Sequence, residues 1–150
     1  MSATTRTPKQ EAYAFQKMKL KRAISGGFFY EAILIEYAIF EDRSEAVLSH
    51  AGIKTTTKSG HSIGLAQKLK MIGTDASMQN AFIQKRLTAD LIGSILVWKG
   101  KRDALTHALM KQAPDYETAE TLAKEGNELL RVFDNKIRSV NRFLEKSNQR

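Results

Sequence analysis

An all-α bundle is what this sequence predicts, and three observations carry the prediction. The chain holds only two prolines. It has no long run in which β-branched and polar residues alternate, and each break in its apolar pattern falls at a glycine, a proline or a Ser/Thr cluster. Its 150 residues, 42% hydrophobic and 27% charged, suit one domain able to bury roughly 70% of the surface its unfolded form exposes. That balance argues against a disordered chain or a collagen-like repeat. The lack of cysteine excludes disulfides and thiolate chemistry, and three histidines make a structural zinc site a poor fit, so no metal or cofactor is expected.

Taken in order, Met1 to Thr7 are expected to be flexible. Thr7, Pro8 and Gln10 resemble an N-cap, a first-turn proline and the far side of a capping box, opening a helix to about Ile24 that Ser25-Gly26-Gly27 ends. The most apolar helix runs from Phe28 to about Ser49, with Gly52 supplying the left-handed conformation of a C-cap. Residues 52–62, rich in Thr, Lys and Ser, read as an exposed loop before a short helix near Ile63 to Ile72. After the break at Gly73 to Ser77, a helix is expected from Met78 through Trp98, kinked or divided at Gly100 and resuming over Lys101 to Gln112. Pro114 and Asp115 stop that segment and cap a last helix towards Leu144, whose stripe of Leu122, Leu129, Phe133, Ile137, Val140 and Leu144 faces a core. These five to six helices predict an antiparallel bundle.

The 24 Lys and Arg against 16 Asp and Glu give a net charge of +8, which favours a polyanionic partner, nucleic acid first. Lys17 and Lys21 on the first helix and Lys58 in the loop are the candidate phosphate contacts, with Lys19, Arg22 and Lys54 beside them. Solubilising charge is the competing explanation. No apolar stretch approaches the roughly 20 residues of a membrane span, and Met1 to Gln10 lack a secretory apolar region, so a cytoplasmic location is the expectation.

Two constellations place ionisable groups where chemistry could use them. Around Arg102, at about 100° per residue, Lys99, Arg102, Asp103, Thr106, His107 and Met110 share one side of a helix and Ala104, Leu105, Ala108 and Leu109 the other, the side expected to pack. Asp103 and His107, four apart, are spaced for a carboxylate to fix an imidazole tautomer. Arg102 lies about 140° around from His107, so one phosphate reaches both only across that sector, or with one group supplied by a second subunit. In the second constellation, Phe29, Ile33, Glu36, Phe40, Arg43, Val47 and His50 lie along one seam of the apolar helix. Burying Glu36 and Arg43 calls for partners, for solvent access or for a place beside the other motif. They either form a polar network that fixes helix register or support a groove that orients Arg102 or binds phosphate.

Arg102-Asp103-Ala104-Leu105-Thr106-His107 resembles the signature of the HEPN superfamily, helical-bundle proteins whose motif is Arg, four to six residues, then His. Asp103 fits the polar residue that usually follows the arginine. The resemblance implies a metal-independent endoribonuclease, often of toxin-antitoxin, phage-defence or RNA-processing systems, active as a homodimer with the motifs meeting at the interface. It implies attack of the RNA 2′-hydroxyl on the adjacent phosphate, leaving a 2′,3′-cyclic phosphate and a 5′-hydroxyl. On this basis His107 moves protons, Arg102 neutralises charge on the phosphate, Asp103 orients His107, and Lys99, Lys101 and Thr106 support the groove with Glu36 and Arg43. RNA and a cognate antitoxin or regulatory protein are the implied partners. The toxin subgroup silenced by nucleotidylation has a tyrosine two residues after the histidine; here stands Leu109. The rivals are a non-cleaving helical RNA-binding or protein-interaction module and a purely structural bundle. No phosphate-binding Gly-x-x-x-x-Gly-Lys loop, His-Glu-x-x-His motif or nucleophile elbow occurs.

Overall fold

The computed structural model describes residues 5–148. Among these the architecture is all-helical, with six α-helices and a single turn of 3-10 helix, Ala76–Met78. The helices are α1 (Pro8–Gly26), α2 (Phe29–His50), α3 (Leu65–Thr74), α4 (Ala81–Arg86), α5 (Ala89–Ala108) and α6 (Tyr116–Asn148). Residues 1–4 of the expected flexible segment lie outside the described residues. Thr7 is fixed by a full capping box: its hydroxyl accepts from the Gln10 amide at 3.2 Å and its own amide donates to Gln10 Oε1 at 2.9 Å.

The α1–α2 corner is a Schellman-type stop. Gly27 adopts φ 78° and donates to the Ile24 carbonyl, while the Phe28 amide reaches back to Ala23, so two carbonyls left over at the end of α1 are satisfied. Helix α2 then runs through the middle of the molecule. It packs against α1, α3 and α6, and its aromatic Phe40 meets Trp98 of α5 and Phe133 of α6 at centroid distances of 5.0 and 5.8 Å. A helix flanked by three others must bury apolar side chains on several faces, as Ala32, Ile33 and Ile35 do while Leu34 stays exposed. Helix α5 runs antiparallel to α2, since Trp98 faces Phe40 whereas Arg102, one turn on, faces Tyr37.

Three expectations are corrected. The helix expected from Met78 through Trp98 is divided at Leu87–Thr88, and Gly100 neither divides nor ends a helix: α5 passes through it. The cause is side-chain capping. Asn80 Oδ1 accepts from the Phe82 amide at 2.8 Å and Thr88 Oγ1 from the Leu91 amide at 3.1 Å, so these polar residues start new helices instead of sitting inside one. The 52–62 segment is exposed for the most part, yet Thr55 is buried, its hydroxyl donating to Glu45 Oε1 at 3.0 Å. A one-bridge pairing of Thr56 with Ser62, backed by the Thr57 amide on the His61 carbonyl at 2.7 Å, folds this segment back on itself. On α6 it is Leu130, not Leu129, that is fully buried with Leu122, Phe133, Ile137 and Val140. The small residues Ala119, Ala123 and Gly126 continue that row and let α2 and α5 approach.

No helix among the described residues is long and apolar enough to cross a membrane.

Candidate functional site

The C-terminal half of α5 presents Lys99, Arg102, Asp103, Thr106 and His107 on one stretch. Arg102 is held by two partners. Its guanidinium lies over the Tyr37 ring of α2 at 4.2 Å from the centroid, its Nη1 donates to Asp103 Oδ1 at 2.9 Å, and the side chain retains only 20% of its exposure. A stacked, ion-paired guanidinium loses little freedom on meeting a further anion. Its delocalised charge also suits the non-bridging oxygens of a phosphate.

Asp103 is held by a different partner from the one its spacing predicts. Instead of reaching forward to His107, it accepts from Lys99 Nζ at 2.6 Å, one turn back, and from Arg102. Partial burial pushes the Asp103 pKa up, but the hydrogen bonds and charges of Lys99 and Arg102 outweigh that and hold it below the ordinary carboxylate range. The physical reason is charge: the ammonium of Lys99 and the guanidinium of Arg102 both reach this one carboxylate and occupy it. His107 therefore stands exposed near the end of α5, with no hydrogen bond or ion pair to its side chain among the described residues. Thr106 is turned to its own helix, donating to the Arg102 carbonyl at 2.9 Å, and Lys101 faces away to Glu125 of α6 at 3.6 Å. Of the expected set, Lys99, Arg102 and Asp103 are brought together, while His107, Thr106 and Lys101 are not.

Exposed apolar side chains follow the motif in the chain and occur on two other helices. Leu109 and Met110 follow His107, the latter 91% exposed, and Leu34 of α2 and Tyr116 of α6 are also largely exposed. The Tyr30 hydroxyl of α2 accepts from the Asp115 amide at 3.0 Å and so ties the turn after Met110 back to the bundle.

Glu36 and Arg43 have different environments although they share a seam. Arg43 lies over the Tyr13 ring of α1 at 4.4 Å from its centroid and its Nε donates to Asp42 at 3.0 Å. Glu36 is fully buried, and neither carboxyl oxygen has a hydrogen-bond partner. Desolvation alone raises its pKa to about 9, so it is a neutral acid at pH 7. It sits against Trp98, whose indole Nε1 donates to the Leu122 carbonyl of α6 at 3.0 Å. Space for this junction is made by Gly126: a Cβ there would lie 2.6 Å from Glu36 Oε1 and 2.7 Å from Trp98 Nε1. A side chain at position 126 leans back over the turn containing Leu122, which is where the indole arrives. None of this touches Arg102 directly, and His50 lies at the other end of α2, its ring on the Ala46 carbonyl and Glu145.

The candidate phosphate contacts separate in space. Lys58 is exposed in the hairpin-like segment. Lys17 and Lys21 line a groove of about 650 Å³ between α1 and α6, opposite Arg131 and Arg138. Lys17 there shares Asp134 with Arg138, at 3.4 and 2.9 Å. Two contributors escaped the sequence. Tyr37, the platform under Arg102, is one residue off the α2 seam, and Arg131 and Arg138 on the polar face of α6 gain meaning only when α1 is laid beside them. Compared with known proteins, the chain matches no family model, no curated protein and no solved structure at a significant level.

Proposed function

We propose that this chain is a metal-independent endoribonuclease of HEPN type, assembled as a homodimer in which Arg102 of one copy and His107 of the other act on one phosphodiester. The observation that carries the reading is the presence, on the C-terminal half of α5, of a preorganised arginine and, apart from it, an exposed and unengaged imidazole. Arg102 is fixed by Tyr37 and Asp103, and His107 has no partner side chain among the described residues. A proton-transfer group has to be free to meet its substrate. A charge-stabilising group is most effective when already oriented. The exposed Leu109 and Met110, which follow the motif in the chain, supply apolar surface for a second copy.

In this mechanism an imidazole nitrogen of His107 takes the proton of the 2′-hydroxyl or returns one to the departing 5′-oxygen. Arg102 faces the non-bridging oxygens as negative charge builds on them. Asp103, held ionised by Lys99, keeps the guanidinium in place, which makes it a positioning residue for Arg102 and not for His107.

The test is cleavage of a mixed-sequence RNA in EDTA by the wild type and by His107→Ala, with the 3′ ends analysed for cyclic phosphate. The reading expects cyclic phosphate from the wild type and a loss of about 10²- to 10⁴-fold in the variant. Equal cleavage by both, or none by the wild type over a range of RNA sequences, overturns it.

A further inference from the structure

The groove between α1 and α6 is distinct from the Arg102–His107 stretch and has its own chemical character. Both helices rest on α2, and the space between them is floored by Leu20, Ile24 and Leu130, with Met18 exposed at its side. Its accessible lining is mostly carbon. Cations stand on both walls: Lys17 and Lys21, one turn apart on α1, and Arg131 and Arg138, two turns apart on α6. Asp134, 3% exposed, lies between them and is matched by Lys17 and Arg138. Arg131 is engaged only by the exposed Glu128 of its own helix, and Lys21 has no ion pair among the described residues.

We infer that this groove docks an acidic amphipathic helix of a partner protein. Apolar side chains of such a helix, recurring at i, i+3, i+4 and i+7, meet the floor, while flanking carboxylates meet Lys21 and Arg131. The wall from Asn127 to Arg138 spans eleven residue steps, about 16 Å, the length of a three-turn helix. An RNA backbone fits the same groove poorly. It has no use for an apolar floor, and no aromatic side chain lines the groove to stack a base. The net charge of +8 attracts an acidic partner at long range. The site uses neither Arg102 nor His107, so it stands or falls separately from the nuclease reading.

The experiment is an amide-shift titration of the full-length, isotopically labelled chain with three probes. The first is a helical peptide of about fourteen residues with Leu at i, i+3, i+4 and i+7 and Glu beside them; the second is its scrambled form; the third is a 2′-O-methyl RNA oligonucleotide, which lacks the attacking hydroxyl. The acidic helix is expected to move the resonances of Lys21, Leu130, Arg131 and Asn135 and to bind at least about tenfold more tightly than the scrambled form. In Lys21→Glu/Arg131→Glu its affinity should fall by about tenfold or more, and a peptide carrying Lys in place of Glu should then bind better than the acidic one. The wild-type shift map stands even if that variant does not fold. Equal binding of ordered and scrambled peptides, shifts confined to other surfaces, or movement of the groove resonances by the RNA alone overturns the assignment.

Discussion

Trp98 and Arg102 are one turn apart on α5, and their surroundings are opposites. Around Trp98 every atom is enclosed. The indole is buried, Gly126 has no room for a Cβ, and Glu36 is sealed in with two unpartnered oxygens. Around Arg102 the polar groups are satisfied and reachable: a stacked guanidinium, a doubly held carboxylate and, past them, an exposed imidazole. The comparison separates two uses of ionisable residues. Glu36 is buried where it is of least use to a solvent-borne substrate and costs stability. Arg102 is half-enclosed by its own partners and so is positioned at little cost.

Substitutions sharpen this contrast, and the largest effects on stability belong to the enclosed junction. Trp98→Ala removes the largest fully buried side chain and its bond to the Leu122 carbonyl; denaturant unfolding should show a loss of about 3 to 5 kcal/mol. Gly126→Ala should destabilise by about 1 to 3 kcal/mol despite alanine's better helix propensity, because the new methyl collides with Glu36 and Trp98. An unchanged melting temperature would mean the junction is looser than described.

Glu36→Leu works in the other direction. The Glu36 pKa is raised from 4.5 to about 9 in the folded protein, so the folded state holds a proton that the unfolded chain releases above its own pKa. The penalty for burying this group is therefore smallest below pH 4.5, where it is protonated in both states, and stability is lost as the pH rises towards 9. Urea midpoints should accordingly fall with pH across that window in the wild type and fall less in Glu36→Leu, which should gain about 1 to 3 kcal/mol at pH 7. Equal pH slopes in the two proteins would show that Glu36 is ionised and solvated after all. The smallest effect on stability is expected at the exposed end: His107→Ala should change unfolding by less than about 0.5 kcal/mol. A large loss there would give His107 a structural task and break the contrast.

Much of the bundle was legible in the sequence because local chemistry fixes it. Thr7-Pro8-Gln10, Gly27 and Gly52 punctuate the chain where expected, and the α2 seam buries Ile33, Glu36, Phe40 and Val47. The Met78–Trp98 stretch misled because apolar periodicity runs on through Asn80 and Thr88, and only the competition of their side chains for backbone amides decides that helices restart there. The candidate site was legible as far as its residues and no further. Spacing allows Asp103 to reach His107, but whether it does depends on Lys99 and Arg102, which offer full charges within hydrogen-bond reach. The Tyr37 platform and the facing of Arg131 and Arg138 on Lys17 and Lys21 are products of helix packing, which no window of sequence contains.

The central claim is that one phosphodiester is met by Arg102 from one copy and His107 from another. Mixing two inert variants tests it most directly. Arg102→Ala and His107→Ala, each unable to cleave RNA alone, should on subunit exchange regain about a quarter of wild-type activity, because about half of the dimers are mixed and each mixed dimer holds one intact site of two. No recovery, with exchange of subunits demonstrated in the same sample, would contradict a site shared between copies.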